Sequence, residues 1–416
     1  MKLSRCLDES YLDFLMHLHG LEINGLKAYD LFSAIRKEEV EIADCYKVLT
    51  RLYGLLETAL GDPQLALYKL SDIASGSKLT SFLRGYGSVL LTSGDTRTYV
   101  SAALRTEFAA LRAKIGEKLK FIEVLYEAIL VAVLSISILS VLPLWPLPLV
   151  VGIFILQLVG LTSYITAVYV TKWMYYNTSA LSAALEVFFI LASNLLLVSV
   201  LYGLVVHLLV FGVLCVIVMK PVKRRVAIEG ESLKILNDTY SQIMLGEPAD
   251  IALLNSLKRS PLLEFRLLLH SLLSGFRAAE IIRKLKFPVL AFKVMSGLVT
   301  LMHYSPPNST HVTSIIQFVD EVSNLRKYVE EKAKHYLLYS GIVVLLIVAS
   351  YVMIARMPAV VNANARVLGV YAYVSAILTA MPACLLKDRT FIGSKLAVPA
   401  TILASMTLVL LYTGIF

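Results

Sequence analysis

The sequence predicts an all-α, polytopic membrane protein, with about seven transmembrane helices and two repeated cytoplasmic helical-bundle domains. Three observations predict it. Hydrophobic residues make up 57% of the 416-residue chain and charged residues 17%, against about half and about a quarter in soluble domains; mean hydropathy is +0.73. The apolar excess is gathered into runs of about 20 residues, the length that crosses a bilayer. Charged, helix-periodic stretches occur twice, each running into such runs.

Residues 1–120 form the first expected domain. Charges recur throughout, and apolar residues return every three or four positions, as in Leu83, Val89, Leu90 and Leu91, which is the helical period. Residues 121–220 hold the first four expected spans. The runs 122–142 and 147–170 flank a turn containing Pro143, Trp145, Pro146 and Pro148, a hairpin with an aromatic interfacial turn. Residues 180–200 and 202–219 follow as a second hairpin, or as one kinked unit, with the break near Tyr202-Gly203. The cluster Lys220, Lys223, Arg224 and Arg225 opens the second expected domain, 221–335, which again lacks a spanning run. Residues 336–416 supply the last three spans, at 336–355, 366–385 and 397–416.

The basic residues set the expected orientation. With the N-terminus inside, Lys172, the 220–225 cluster, Lys387, Arg389 and Lys395 all lie inside, and only Arg356 and Arg366 lie near outer ends. The C-terminus is then outside and the protein is a multi-pass protein of the cell membrane. The net charge of +9 fits cations held at the negative inner leaflet. No basic and aromatic interleaving of a base-stacking kind is present, so no nucleic-acid partner is expected.

Chemistry is expected to be absent. There is no GxxxxGK[ST], HExxH or GxSxG, and neither a metal nor a cofactor is expected. Cys6, Cys45, Cys215 and Cys384 form no CxxC pair and read as lone buried thiols. The N-terminus has no signal-peptide pattern. His17 and His19 stand two apart, which puts them on different faces of a helix. His207 and Glu186 fall in expected spans, Glu186 at the start of its own, where an ionisable group is functional by default and an interhelical hydrogen bond or an interfacial position is the alternative. The sequons at Asn177 and Asn308 fall inside in this orientation and are expected to be unused.

The two domains carry four matches in the same order. Leu60-Gly61-Asp62-Pro63 parallels Leu245-Gly246-Glu247-Pro248, and Ser77-x-Leu79-x-x-Phe82 parallels Ser260-x-Leu262-x-x-Phe265. Ser93-Gly94 parallels Ser274-Gly275, and Leu111-Arg112 with Glu117-Lys118-x-Lys120 parallels Leu325-Arg326 with Glu331-Lys332-x-Lys334. The second copy carries an insertion between Phe276 and Glu321. Gly61, Pro63, Gly94, Gly246, Pro248 and Gly275 are the expected turns, each ending one helix or starting the next, with the acid in the first helical turn. Arg112, Lys118, Lys120, Arg326, Lys332 and Lys334 are expected on helices that continue from the cytoplasm into the bilayer.

Tandem helical domains with a Ser-Gly turn, each feeding spanning helices, resemble the type II secretion F domain family. The stretch LSDIASGSKLTSFLRGYGSVLLTSGDTRTYV, residues 70–100, carries most of the likeness. The arrangement of four spans behind one domain and three behind the other is similar to that of the archaeal branch, found in archaeal-type type IV pili and the archaellum. The sparse glutamine fits a hot-living source. The resemblance implies the platform of a filament-assembly machine, without enzymatic activity of its own. It implies a hexameric secretion ATPase below, pilin subunits and lipids around, and a homo-oligomer, a dimer being favoured. Arg84, Arg97, Arg277 and Arg283 are the candidates for an ATPase-facing surface; Arg105, Lys114 and Lys327 read with the membrane-proximal cations. The rival is a secondary transporter with an internal repeat, against which stands a repeat clearest outside the spans.

Overall fold

The structure is a computed structural model. It describes residues 3–40, 42–74, 76–139, 147–174, 180–192, 199–275, 281–282, 284–285, 287–304, 309–355, 361–388, 390–391, 394, 400–402, 404–406 and 408–409. Among these residues every regular element is a helix, and the fold is all-α. The helices are α1 (Leu3–Glu9), α2 (Tyr11–Ile23), α3 (Ala28–Arg36), α4 (Asp44–Leu60), α5 (Pro63–Ile73), α6 (Lys78–Thr92), α7 (Thr96–Leu139), α8 (Leu147–Met174), α9 (Ala180–Ala192), α10 (Val200–Met244), α11 (Ala249–Arg259), α12 (Leu263–Leu273), α13 (Val289–Tyr304), α14 (Ser309–Ala355) and α15 (Val361–Asp388).

The chain divides into two units. The first comprises Met1–Arg112 and Arg225–Ser323, the second Ala113–Arg224 and Asn324–Phe416. The first unit holds most of both expected cytoplasmic domains and contains two hydrophobic cores, one in each stretch. The first core gathers α1 to α6 and the start of α7 around Phe14, Phe32, Tyr46, Tyr53, Phe82 and Tyr86. Phe14 stacks on Tyr46 at 5.2 Å and meets Phe82 edge-on at 5.9 Å, arrangements that add to plain area burial. The second core gathers the end of α10, α11 to α13 and the start of α14, with Phe265 stacked on Phe287 at 5.3 Å.

The turns follow from backbone sterics. Gly61, Gly94, Gly246 and Gly275 have φ of 67°, 70°, 94° and 72°, the left-handed region that a Cβ disfavours and that ends helices. After Gly61, Asp62 is the N-cap of α5; its carboxylate accepts from the backbone N–H of Gln64 at 2.8 Å and Leu65 at 3.3 Å, and Pro63 takes the first helical position, where its missing N–H costs nothing. The second copy differs. Pro248 is itself the N-cap of α11, so Glu247 lies outside the helix and accepts from Asn255 Nδ2 at 3.4 Å. The first-turn acid there is Asp250, not Glu247.

The insertion in the second copy contains α13. Its Ser296 and Thr300 hydroxyls lie 3.4 and 3.5 Å from the His17 ring nitrogens on α2, and Lys293 is 2.6 Å from Asp13. The cysteine expectation is corrected at one pair. Cys6 on α1 and Cys45 on α4 form a disulfide, with Cα atoms 6.2 Å apart. Thirty-nine residues separate them, and only the packing of α1 on α4 brings them together. Cys215 and Cys384 remain thiols.

In the second unit, α8 packs along α15. Gly160 allows the close approach: a Cβ there would stand 2.7 Å from Leu378 Cδ2 and 3.0 Å from its Cβ. α10 runs unbroken for 45 residues through the basic cluster and through Pro221, which forfeits one backbone hydrogen bond without ending the helix. Among the described residues one helix, Tyr202–Met244 within α10, is long and apolar enough to cross a membrane, with mean hydropathy 2.6 over its most apolar window. The turn at Pro143 to Pro146, the asparagines of both sequons, Arg277, Arg283, Arg356, Arg389 and Lys395 lie outside the described residues.

Candidate functional site

α7 and α14 carry the residues expected to link cytoplasm and bilayer. α7 runs for 44 residues and α14 for 47, and neither contains proline. Nothing in either backbone therefore forces a kink of the proline kind. In the second unit they lie side by side and parallel. A Cβ on Gly116 would be 3.8 Å from the Tyr328 hydroxyl. Tyr336 donates to the Leu119 carbonyl at 2.9 Å, Lys332 Nζ lies 2.9 Å from Glu123 Oε1, and Tyr126 stacks on Tyr336 at 5.1 Å. In the first unit the same helices touch through Phe108 and Phe318, with ring centroids 5.4 Å apart.

The cations expected to lie near the membrane divide by neighbour. Lys114 and Lys118 sit above the Tyr169 ring of α8 at 6.0 and 5.8 Å, within reach of a cation–π attraction. Lys332, the counterpart of Lys118, is held by Glu123 instead. That hydrogen bond is the main reason its pKa is raised, since the carboxylate favours the charged ammonium. Arg112, Lys120 and Lys334 are exposed and Arg326 is half-buried. Glu123, Tyr126, Tyr169 and Tyr336 were not singled out from sequence; the one available signal was an acid, Glu123, directly after a basic stretch.

Two buried polar groups lie deeper in the second unit. Glu186 on α9 is 2% exposed. It accepts from the Tyr164 hydroxyl, from Thr390 Oγ1 at 2.6 Å and from the Phe391 N–H at 3.1 Å. His207 on α10 is fully buried. Its Nε2 meets the Phe189 carbonyl at 3.0 Å, which can only accept, so Nε2 carries the proton and Nδ1 accepts from the Tyr373 hydroxyl at 2.8 Å. Phe189 stacks on the imidazole at 4.2 Å. Each polar group is satisfied by neighbouring helices or by residues after α15, an arrangement that fixes how they pack.

The arginines expected to face an ATPase behave differently from one another. Arg84 on α6 is committed to Asp72 at 2.9 Å and to Ser71 at 3.3 Å. Arg97, at the start of α7, is exposed and lines a cavity with His19 and Arg105. The α7 N-terminus beside it is pinned by buried Glu22, which accepts from Thr96 Oγ1 at 2.7 Å, Lys27 Nζ at 3.0 Å and the Tyr86 hydroxyl. Burial first, then the bond to Glu22, pushes the Tyr86 pKa far up. His17 and His19 serve different faces of α2: His17 faces α13, and His19 faces the Arg97 cavity.

Compared with known proteins, the chain matches no protein-family model, no curated protein and no solved structure.

Proposed function

We propose that the chain is a membrane platform for assembly of a type IV pilus-like filament, coupling a hexameric secretion ATPase in the cytoplasm to insertion of pilin subunits. The observation that carries this reading is the pair α7 and α14. Each follows the bundle segments of one repeat, is continuous through its Glu-Lys-x-Lys segment, and ends in an apolar stretch. In this reading the protein is multi-pass, with about seven spans, the N-terminus inside and the C-terminus outside. The first unit receives the ATPase, the second meets pilins and lipid, and the platform works as a homo-oligomer, a dimer being favoured. It has no catalytic residue of its own.

A transporter would need an ionisable group able to change partners inside the bilayer. Glu186 is the best candidate for one, and its three hydrogen-bond donors favour a fixed structural role. The test is reconstitution of the full chain in liposomes with the secretion ATPase of the same source. Stimulated ATP hydrolysis, with none from the chain alone, is expected. Unstimulated ATPase together with ion-driven solute uptake by the liposomes would replace the platform reading with the transporter one.

A further inference from the structure

We propose that the cavity beside the start of α7 binds a small anion bearing phosphoryl groups. The cavity has a volume of about 660 Å³ and is lined by His19, Arg97, Thr98, Ser101, Arg105 and Gln317, among others. None of the described residues lining it is acidic. Arg97, Ser101 and Arg105 recur every four residues along α7, so they share one face, with about 6 Å between successive positions. Neither guanidinium makes an ion pair among the described residues. Asp95 is near enough to Arg97 to feel its charge, but it accepts from the Thr98 N–H at 3.2 Å.

His19 is the second observation. It is 8% exposed, it lines the cavity, and its ring nitrogens hydrogen bond to none of the described residues. Burial, then Arg97 and Arg105, hold its pKa down, and both guanidiniums favour an anion in the cavity they line. The His19 ring nitrogens have no protein partner among the described residues and are not sealed from the cavity, so an anion between the ring and the guanidiniums would accept from its N–H and balance their charge. Guanidinium forks and hydroxyls match phosphoryl oxygens in geometry and charge. A concave wall suits a small ligand better than the flat acidic face of a partner protein.

The experiment follows ³¹P NMR of two probes added to the purified full-length protein: inorganic pyrophosphate, and a short-chain phosphatidylglycerol below its micelle concentration. Binding of either probe should weaken about tenfold or more in R97Q/R105Q, which removes two charge-assisted contacts. It should weaken likewise in S101E, which puts a carboxylate into the cavity, and should be unchanged in R51Q, which removes an exposed cation on α4. Binding of pyrophosphate assigns a soluble phosphate source; binding of the phospholipid alone assigns a lipid headgroup. If neither probe binds, or if binding survives in both R97Q/R105Q and S101E, the proposal is overturned.

Discussion

Glu123 on α7 and Lys332 on α14 are 209 residues apart in sequence, and their charged groups lie 2.9 Å apart in the structure. The pair sits one turn from the Tyr336 hydrogen bond and so sets the register in which the two long helices run. About a third of each side chain is exposed, so solvent screens the attraction and the pair is worth about 0.2–1 kcal/mol. E123Q and K332Q should each lower stability by that amount, and the exchange E123K/K332E should recover part of it in a double-mutant cycle. Because the folded-state pKa of Lys332 is raised, its contribution is present through neutral pH and is lost as pH rises through that folded value. A cycle showing no coupling at pH 7 counts against the register.

His17 makes stability depend on acid. Its pKa is lowered from 6.5 to about 4, by burial first and then by Lys293, with Asp13 opposing. The unfolded histidine takes up its proton near 6.5 and the folded one only near 4, so folding is progressively disfavoured as pH falls through this window. Each pKa unit of separation is worth about 1.4 kcal/mol. Denaturation of the wild type should therefore become easier between pH 7 and pH 4, and H17Q should flatten that dependence. Equal slopes for the two proteins would mean that other groups carry the effect.

What could be read from sequence was local. Gly61, Gly94, Gly246 and Gly275 adopt the positive φ that Gly after a helical run signals, and the proline-free stretches around Lys118 and Lys332 are helical throughout. What could not be read was pairing between distant segments. Nothing near Cys6 points to Cys45, nothing near His17 points to Ser296, and the meeting of Glu123 with Lys332 requires α7 and α14 already to be aligned. Pro248 shows a finer limit. The same Gly-acid-Pro pattern places its proline inside α5 but at the cap of α11, because Asp62 can cap where Glu247, one methylene longer, reaches Asn255 instead.

The Cys6–Cys45 disulfide closes a loop spanning 39 residues, for which a chain-entropy argument gives about 4 kcal/mol of stabilisation. In the proposed orientation this bundle faces the cytoplasm, where lasting disulfides are chiefly a feature of hyperthermophiles. Denatured but unreduced protein should label at two thiols, Cys215 and Cys384, and at four after reduction. C6S/C45S should melt well below the wild type. Four labelled thiols without reduction would remove the bridge from the account.

Gly160 and Gly212 separate packing from propensity. A Cβ at Gly160 meets the Leu378 side chain near its root, whereas one at Gly212 meets nothing within 4 Å. G160A should cost about 1–3 kcal/mol as α8 and α15 move apart, and G160L should cost more. G212A should be neutral or stabilising, since alanine is the better helix former. Thermal melts of the detergent-solubilised variants read both, and a neutral G160L would show that α8 does not rest on Leu378.

The platform reading makes its strongest demand on α7 and α14 as stiff elements. In that reading a helix of 44 or 47 residues without proline would carry a displacement at its cytoplasmic end to its apolar end. The parallel contacts through Phe108 and Phe318, Gly116 and Tyr328, and Glu123 and Lys332 brace each helix with the other. Motion imposed by the ATPase would then shift pilins in the membrane as a lever does. A flexible Gly-Ser insertion after Lys120 and another after Lys334 should leave folding and ATPase binding intact while abolishing filament growth in cells. Insertion after Lys120 alone should give an intermediate loss, because α14 still braces the path. Normal filaments in the doubly inserted strain would show that force does not travel through these helices.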